Sequence, residues 1–393
     1  TPKDLIAEGK TIVLATCSIH SNEVGSAQTA MAIAYDLARK TDPETEEILK
    51  SVVFLLIPSL NPDGIDIVGD WYRKTLGTDA EGTLPPQLYH AYAGHDNNRD
   101  WYMFTQQETR LTIEKVHNVW HPQIVVDLHE MGPYGARLFV PPFVEPVDPN
   151  VDPLLLAKIE ELGESLLSSL TQAGKPGVVT RAIYDAYTPA RAYQHYHAGA
   201  RILFEAASVR LATPLYIRSP QLLSRRDYDP RQPSENFPAP WEGGQWTVGD
   251  IVEYQKLALE EVLLHAARHR ESWLENFYQI GLKAIGRTTP YAFVLPPDQH
   301  DPQSLFDLLE TLDVGMVEIH RAVGPFEIGS SQLISASSVA TGRRQFPAGS
   351  YVILMQQPYS AFAKTMLEVQ HYPELRRYPG DPLKRPYDVT AHT

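Results

Sequence analysis

The sequence predicts an α/β fold, a mixed, mainly parallel sheet with helices on both faces, followed by a small second α/β unit. Three observations predict it: short apolar runs recur along the chain, helix-period patterns lie between them, and ionisable residues cluster directly after the runs. Residues 11–16 form the first run, of the kind that fills a buried strand, and residues 26–39 then carry small and apolar residues at helical spacing. Further strands are expected at 52–57, 124–126 and 202–204, with helices at 106–119 and 154–173. In such sheets ligands gather at the carboxyl ends of the strands, so the polar residues just beyond these runs are the ones to inspect.

The rest of the chain reads in the same way. Residues 219–244 are rich in Pro, Arg, Asp and Trp and read equally as a lid or as a packing loop. Residues 247–278 have the pattern of one long helix, and Gly286 to Pro290 then punctuate the chain. A boundary near residue 285 is therefore expected, with a main domain over 1–285 and a truncated accessory α/β unit over 286–393. That unit is expected to hold strands at 291–295, 315–320 and 351–355 and helices at 304–312 and 361–369. No metal-like cluster stands out in it, which points to a structural or docking role.

Composition narrows the function. A chain of 393 residues with 43% hydrophobic and 21% charged residues can build a substantial core. A formal charge of −14 with no dense Lys/Arg stripe argues against a nucleic-acid partner. Cys17 is the only cysteine, so no intrachain disulfide forms. No apolar run approaches the roughly 20 residues of a transmembrane helix. The chain starts at Thr1 without a Met or a signal peptide, and is expected to be a fragment of a longer protein.

Three clusters carry metal or acid–base chemistry. His20 and Glu23, in Cys17-Ser-Ile-His20-Ser-Asn-Glu23-Val-Gly25, lie three residues apart after the first run. Imidazole nitrogen and carboxylate oxygen suit zinc, although the pair alone fits equally a solvated loop or a carboxylate at a helix start. His129 ends the apolar run of Val125-Val-Asp-Leu-His129-Glu-Met-Gly132 and is the candidate third ligand, with Asp127 or Glu130 as the carboxylate that orients it. Glu205 follows a further buried run, where desolvation raises a carboxyl pKa toward that of a useful base. Asn61-Pro-Asp-Gly64 reads as a turn. Arg73 and Lys74 follow it, and Asn98 beside Arg99 offers an amide and a planar guanidinium suited to a substrate carboxylate.

Taken in order, these residues resemble the funnelin-type zinc carboxypeptidases over roughly residues 11–282. That family places H-x-x-E after the first strand, then N-P-D-G, W-R-K, N-R, a distant His and a catalytic Glu. Here those elements are His20/Glu23, Asn61-Pro-Asp-Gly64, Arg73-Lys74, Asn98-Arg99, His129 and Glu205. The resemblance implies one Zn²⁺ per chain held by His20, Glu23 and His129, and a peptide substrate whose free α-carboxylate meets Asn98 and Arg99. It assigns Arg73 to the scissile carbonyl, and Glu205 to general-base hydrolysis of the last peptide bond by a zinc-activated water. By alignment it points to Tyr184 as a mobile substrate-closing tyrosine, with Tyr187 as a rival. It places the selectivity position at Arg191, favouring an acidic C-terminal residue, with Ala190 or Ala192 one residue away.

Two departures stand out. Tyr72 interrupts W-R-K, and Glu130 stands where many members carry a small residue. The C-terminal part resembles the continuation of large secreted bacterial members, which implies a periplasmic or extracellular location. Two other readings share the motifs: an N-acyl amino-acid deacylase of the aspartoacylase type, and a pseudoenzyme that binds peptide termini or glycan stems without cutting.

Overall fold

The protein is described from a computed structural model over residues 1–88, 95–329, 343–385 and 387. Its centre is a six-stranded sheet of β1 (Thr11–Cys17), β2 (Val52–Ile57), β3 (Ile124–Met131), β4 (Leu138–Phe139), β5 (Val178–Val179) and β6 (Ala200–Ala207), in the order β2-β1-β3-β6-β4-β5. The first four neighbours run parallel; β4 is antiparallel to β6 and parallel to β5. The sheet is thus mixed and mainly parallel, as expected. Strands β3 and β6 are buried along almost their whole length, which requires cover on both faces. The two-residue strands β4 and β5 escape sequence reading, because two residues carry no period.

In chain order the first helices are α1 (Pro2–Glu8), α2 (Val24–Arg39), α3 (Pro43–Ser51) and α4 (Pro62–Thr75). They are followed by α5 (Gln107–Leu111), which runs through a π-helical turn into α6 (Asn118–Trp120), and by α7 (Pro153–Gln172), α8 (Val248–Arg268) and α9 (Arg270–Ile285). Helices α2, α3 and α7 all pack on α8. Helix α7 shows why these segments are helical. Asp152 caps its start, accepting from Leu154 N at 2.9 Å, Pro153 occupies the first turn, and Leu155, Ile159, Leu162, Leu166 and Leu170 recur on one buried face. Truncating Leu162 to Ala in this packed face costs about 2–5 kcal/mol.

Two expectations need correction. Asn61-Pro-Asp-Gly64 is the start of α4 and not an isolated turn: the Asn61 Oδ1 accepts from Gly64 N at 2.9 Å and Pro62 takes the first helical position. The long pattern over 247–278 divides at His269, where Trp273 turns back to hydrogen-bond His265. Residues 219–244 act as packing: Tyr228 and Phe237 are buried, and the Tyr228 hydroxyl accepts from Ala136 N at 2.9 Å. Beside them β7 (Leu215–Arg218) pairs with β8 (Gly243–Trp246).

Beyond Ile285, β9 (Ala292–Leu295), β10 (His320–Arg321) and β13 (Tyr351–Leu354) form an antiparallel sheet in the order β10-β13-β9, with α10 (Pro302–Val314) and α11 (Ser360–Leu367). A separate ribbon pairs β11 (Phe326–Ile328) with β12 (Arg344–Phe346). Leu312, Ile353, Met355 and Phe362 join the same apolar cluster as β1, β3 and α8, so this region shares the core of the main sheet. His197 Nε2 lies 2.9 Å from the Gly315 carbonyl and Phe362 packs edge-on to Tyr193, joining the two regions further.

Candidate metal centre and catalytic cleft

Strand geometry gathers the polar residues of the centre. Alternate residues of a strand share a face, and register partners in a parallel pair point the same way. His129 on β3 is the register partner of Glu205 on β6, and Asp127 that of Leu203. Asp127, His129, Arg201 and Glu205 therefore lie on one face of the sheet, while Val126, Leu128, Ile202 and Phe204 face the larger apolar core. The same parity decides which carboxylate orients His129. Asp127 is two residues away and its Oδ2 lies 2.8 Å from His129 Nε2. Glu130 points to the other face, where it accepts from Gly25 N at 2.7 Å.

His20 and Glu23 reach the same point from the β1–α2 connection, Glu23 being the residue just before α2. Glu23 Oε1 lies 2.8 Å from His20 Nδ1, and Glu23 Oε2 lies 2.9 Å from His129 Nδ1. The ligand atoms of His20, Glu23 and His129 all fall within 4.8 Å of one another. Each imidazole turns its other nitrogen to a carboxylate. His20 Nε2 is 3.0 Å from Asp96 Oδ1, and His129 Nε2 sits on Asp127, which is itself held by Arg201 at 2.6 Å and Thr16 Oγ1 at 3.1 Å. Asp96 lies 76 residues from His20 in the sequence, and only the fold brings the two together.

This donor set fits a divalent cation. A neutral imidazole whose Nε2–H donates to a carboxylate presents a lone pair at Nδ1, and two such lone pairs converge here on a third, anionic donor. That convergence is stable with positive charge at its centre, from two imidazolium protons or from one dication. Burial alone would push the His20 imidazole down, but the charge of Glu23 and the bonds to Asp96 and Glu23 outweigh it and lift it to about 9. His129 is likewise raised, Asp127 and Glu23 outweighing its burial. Burial would raise Glu23, but the two histidines hold it down at about 2.

Glu205 is buried beside this cluster. Burial pushes its carboxyl up to about 7, with the His129 charge opposing and the Glu23 charge adding. The Asn98 amide nitrogen lies 3.2 Å from His129 Nε2, so Asn98 belongs to the cluster. The Arg99 guanidinium donates to the Asn98 carbonyl at 3.0 Å and lies 3.8 Å from Asp96. Tyr184 is buried, and desolvation together with the charge of Glu205 pushes its phenol up. Arg191 is buried too and lines a small cavity with Phe143, Thr188, His195 and Arg201. Tyr187, the alternative to Tyr184, instead packs on Tyr372 at 4.9 Å.

Arg73 does not join them. Its side chain is 74% exposed and pairs with Asp70 one turn earlier on α4 at 2.8 Å. The buried residues of α4 are Gly64, Val68 and Thr75. At about 100° per residue Arg73 projects about 180° from Gly64, which directs it to solvent. Arg73 thus stands apart from the cluster to which the motif order joins it, on the solvent face of α4.

A second His/His/Glu group, missed in the sequence, lies on the helices. Glu161 of α7 meets His265 of α8 and His269 at the α8–α9 junction, also with donor atoms within 4.8 Å. Its histidines are four residues apart on one helix face, a signal that the sequence did contain.

A sequence profile described as zinc carboxypeptidase matches residues 3–132, a span that contains His20, Glu23, Asn98, Arg99 and His129. No curated protein matches the chain. Among solved structures, it is similar to a metallo-carboxypeptidase from Burkholderia cenocepacia at 16% identity and a TM-score of 0.42, covering 65% of this chain and 57% of that one. It is also similar to a metallo-carboxypeptidase from Pseudomonas aeruginosa in complex with (2-guanidinoethylmercapto)succinic acid, at 17% identity and a TM-score of 0.42, covering 68% and 58%. A third is carboxypeptidase A from Helicoverpa armigera, at 14% identity and a TM-score of 0.41, covering 67% and 62%. The alignments thus span less than two thirds of each of these proteins. The profile match takes in all three candidate metal ligands and spans the first third of the chain, so the likeness to zinc carboxypeptidases is carried by this N-terminal part.

Proposed function

We propose that the chain is a zinc metallocarboxypeptidase that hydrolyses the last peptide bond of a substrate with a free C-terminus. The observation that carries this reading is the pairing of the His20/Glu23/His129 cluster with a buried carboxylate, Glu205, at the register position opposite His129. His20, Glu23 and His129 hold the metal. Zinc, when bound, supplies Lewis-acid polarisation of the scissile carbonyl and acidifies a water. Glu205 takes a proton from the attacking water at a carboxylate oxygen and returns it to the leaving amine nitrogen. Its carboxyl near 7 is suited to both transfers. Asn98 and Arg99 hold the substrate α-carboxylate, Tyr184 closes over the bound residue, and Arg191 selects an acidic side chain.

The test combines zinc stoichiometry with release of the C-terminal residue from blocked dipeptides, for wild type and Glu205→Gln. One zinc per chain in both proteins, with activity falling by about 10²–10⁴ in the variant, is the expected result. Absence of zinc from the wild type overturns the reading. Zinc with cleavage of an acyl-aspartate in place of dipeptides makes the protein a deacylase, and zinc with neither reaction makes it a binding protein.

A further inference from the structure

The residues read above as substrate-binding are covered by another part of the same chain. Tyr184 and Arg191 are only 4% and 5% exposed, and both lie against one ring, that of Tyr387. The Tyr387 ring meets Tyr184 edge-on at 4.9 Å between centroids, and the Arg191 guanidinium lies 4.9 Å from its centroid. Tyr387 itself is 41% exposed, so it sits at the rim as a cover and is not built into the core.

The segment that delivers this ring is held at two places. Near the cleft, its groups converge on Asp185, the neighbour of Tyr184. Tyr372 donates its hydroxyl to Asp185 Oδ2 at 3.2 Å, Tyr387 donates its backbone N–H to the same oxygen at 3.2 Å, and Lys384 Nζ lies 3.9 Å away. Lys384 also donates to the Glu145 carbonyl. Further back, buried Asp381 pairs with Arg377 at 3.0 Å and with Arg226 of the 219–244 packing segment at 3.2 Å. The contacts near the cleft are polar and close over buried Asp185, so lifting the segment opens that carboxylate to water. The Asp381 anchor is independent of the cleft.

We propose that residues 372–385 together with Tyr387 act as an autoinhibitory strap, with Tyr387 covering the pocket that receives the substrate's C-terminal side chain. The proposal rests on the reading of Tyr184 and Arg191 as substrate-binding residues. An acidic side chain seeking Arg191 has to displace the Tyr387 ring from that guanidinium. Apparent affinity is then reduced by the fraction of molecules in which the strap is lifted.

The test replaces Tyr387→Ala and, separately, Lys384→Ala, which loosens the strap without touching Tyr184 or Arg191. KM for a blocked dipeptide with a C-terminal Glu is measured in each. The Kd of the same peptide is measured by calorimetry in a Glu205→Gln background, where binding is read without turnover. Both variants are expected to lower KM and Kd by about tenfold, with kcat unchanged. Weaker binding in the variants makes Tyr387 a wall of the pocket and overturns the strap, as does unchanged binding beside a wild type that binds and cuts. Absence of binding and cleavage in wild type and variants alike removes the carboxypeptidase reading and the strap's role together. Peptide binding that appears only in the variants is the strongest support.

Discussion

Among the described residues two groups pair two histidines with one glutamate, and they differ in what stands behind the candidate ligands. In the His20/Glu23/His129 group both outer ring nitrogens face carboxylates, Asp96 and Asp127. Each Nε2 is thereby a donor and each Nδ1 is left to bind a cation. In the Glu161/His265/His269 group the outer partner of His265 is the Trp273 indole, whose N–H donates to His265 Nδ1 at 3.3 Å. An indole has no acceptor, so the neutral ring carries its proton on Nε2, the nitrogen that faces Glu161 at 3.5 Å. Lys158 supplies the positive charge there, 2.5 Å from Glu161 Oε2. The same three side chain types thus make a candidate metal centre in one place and a neutral helix contact in the other, and the groups behind them distinguish the two.

The largest expected difference is in metal content. His129→Ala and His20→Ala should each abolish stoichiometric zinc, measured by mass spectrometry after dialysis, while His265→Ala and His269→Ala should keep one zinc per chain. Two zinc ions in the wild type would break the comparison. Next come the carboxylates. Asp96→Asn should weaken zinc by about 10–100-fold in a chelator competition. Asp127→Asn should do the same and also lower stability by about 3 kcal/mol in urea unfolding, because it leaves buried Arg201 without its carboxylate. Equal effects on unfolding would show that the Arg201 pair contributes little.

A smaller effect is expected with pH. Burial, helped by the charge of His269, holds the His265 imidazole down at about 4, against the pull of Glu161; Lys158 adds to the depression. A folded-state pKa below the unfolded value of about 6.5 means that the unfolded chain binds the extra proton first. The stability contributed by neutral His265 is full above about 6.5 and is lost as pH falls toward 4. Thermal unfolding of His265→Gln should therefore fall less steeply than wild type over that window. The smallest expected change is Trp273→Phe, which removes one buried hydrogen bond and part of the indole's packing, at a cost of about 1–2 kcal/mol in chemical denaturation. A cost near zero would show that the indole does not fix the His265 tautomer.

Much of this was legible in the residues, and the rest was hidden for identifiable reasons. Candidate site residues that follow apolar runs, His20, His129 and Glu205 among them, could be read because a buried strand announces itself and its end is where chemistry collects. Asp96 was missed as the partner of His20 because 76 residues separate them and nothing local records the approach. Arg73 was assigned by motif order, whereas its direction is set by which face of α4 is buried. The long helix over 247–278 was read as one element since neither Pro nor Gly marks the break at His269.

By itself the sequence determined the alternation of strands and helices, the candidate set of His20, Glu23, His129 and Glu205, and that Cys17 has no intrachain partner, since these depend on residue type and short-range period. Tertiary structure alone decided that His129 faces Glu205, that Asp127 and not Glu130 orients His129, that Arg73 faces solvent, and that Tyr387 covers Arg191. Each of these depends on strand register, side-chain parity or the packing of distant segments, and those are settled only when burial selects one face of each element.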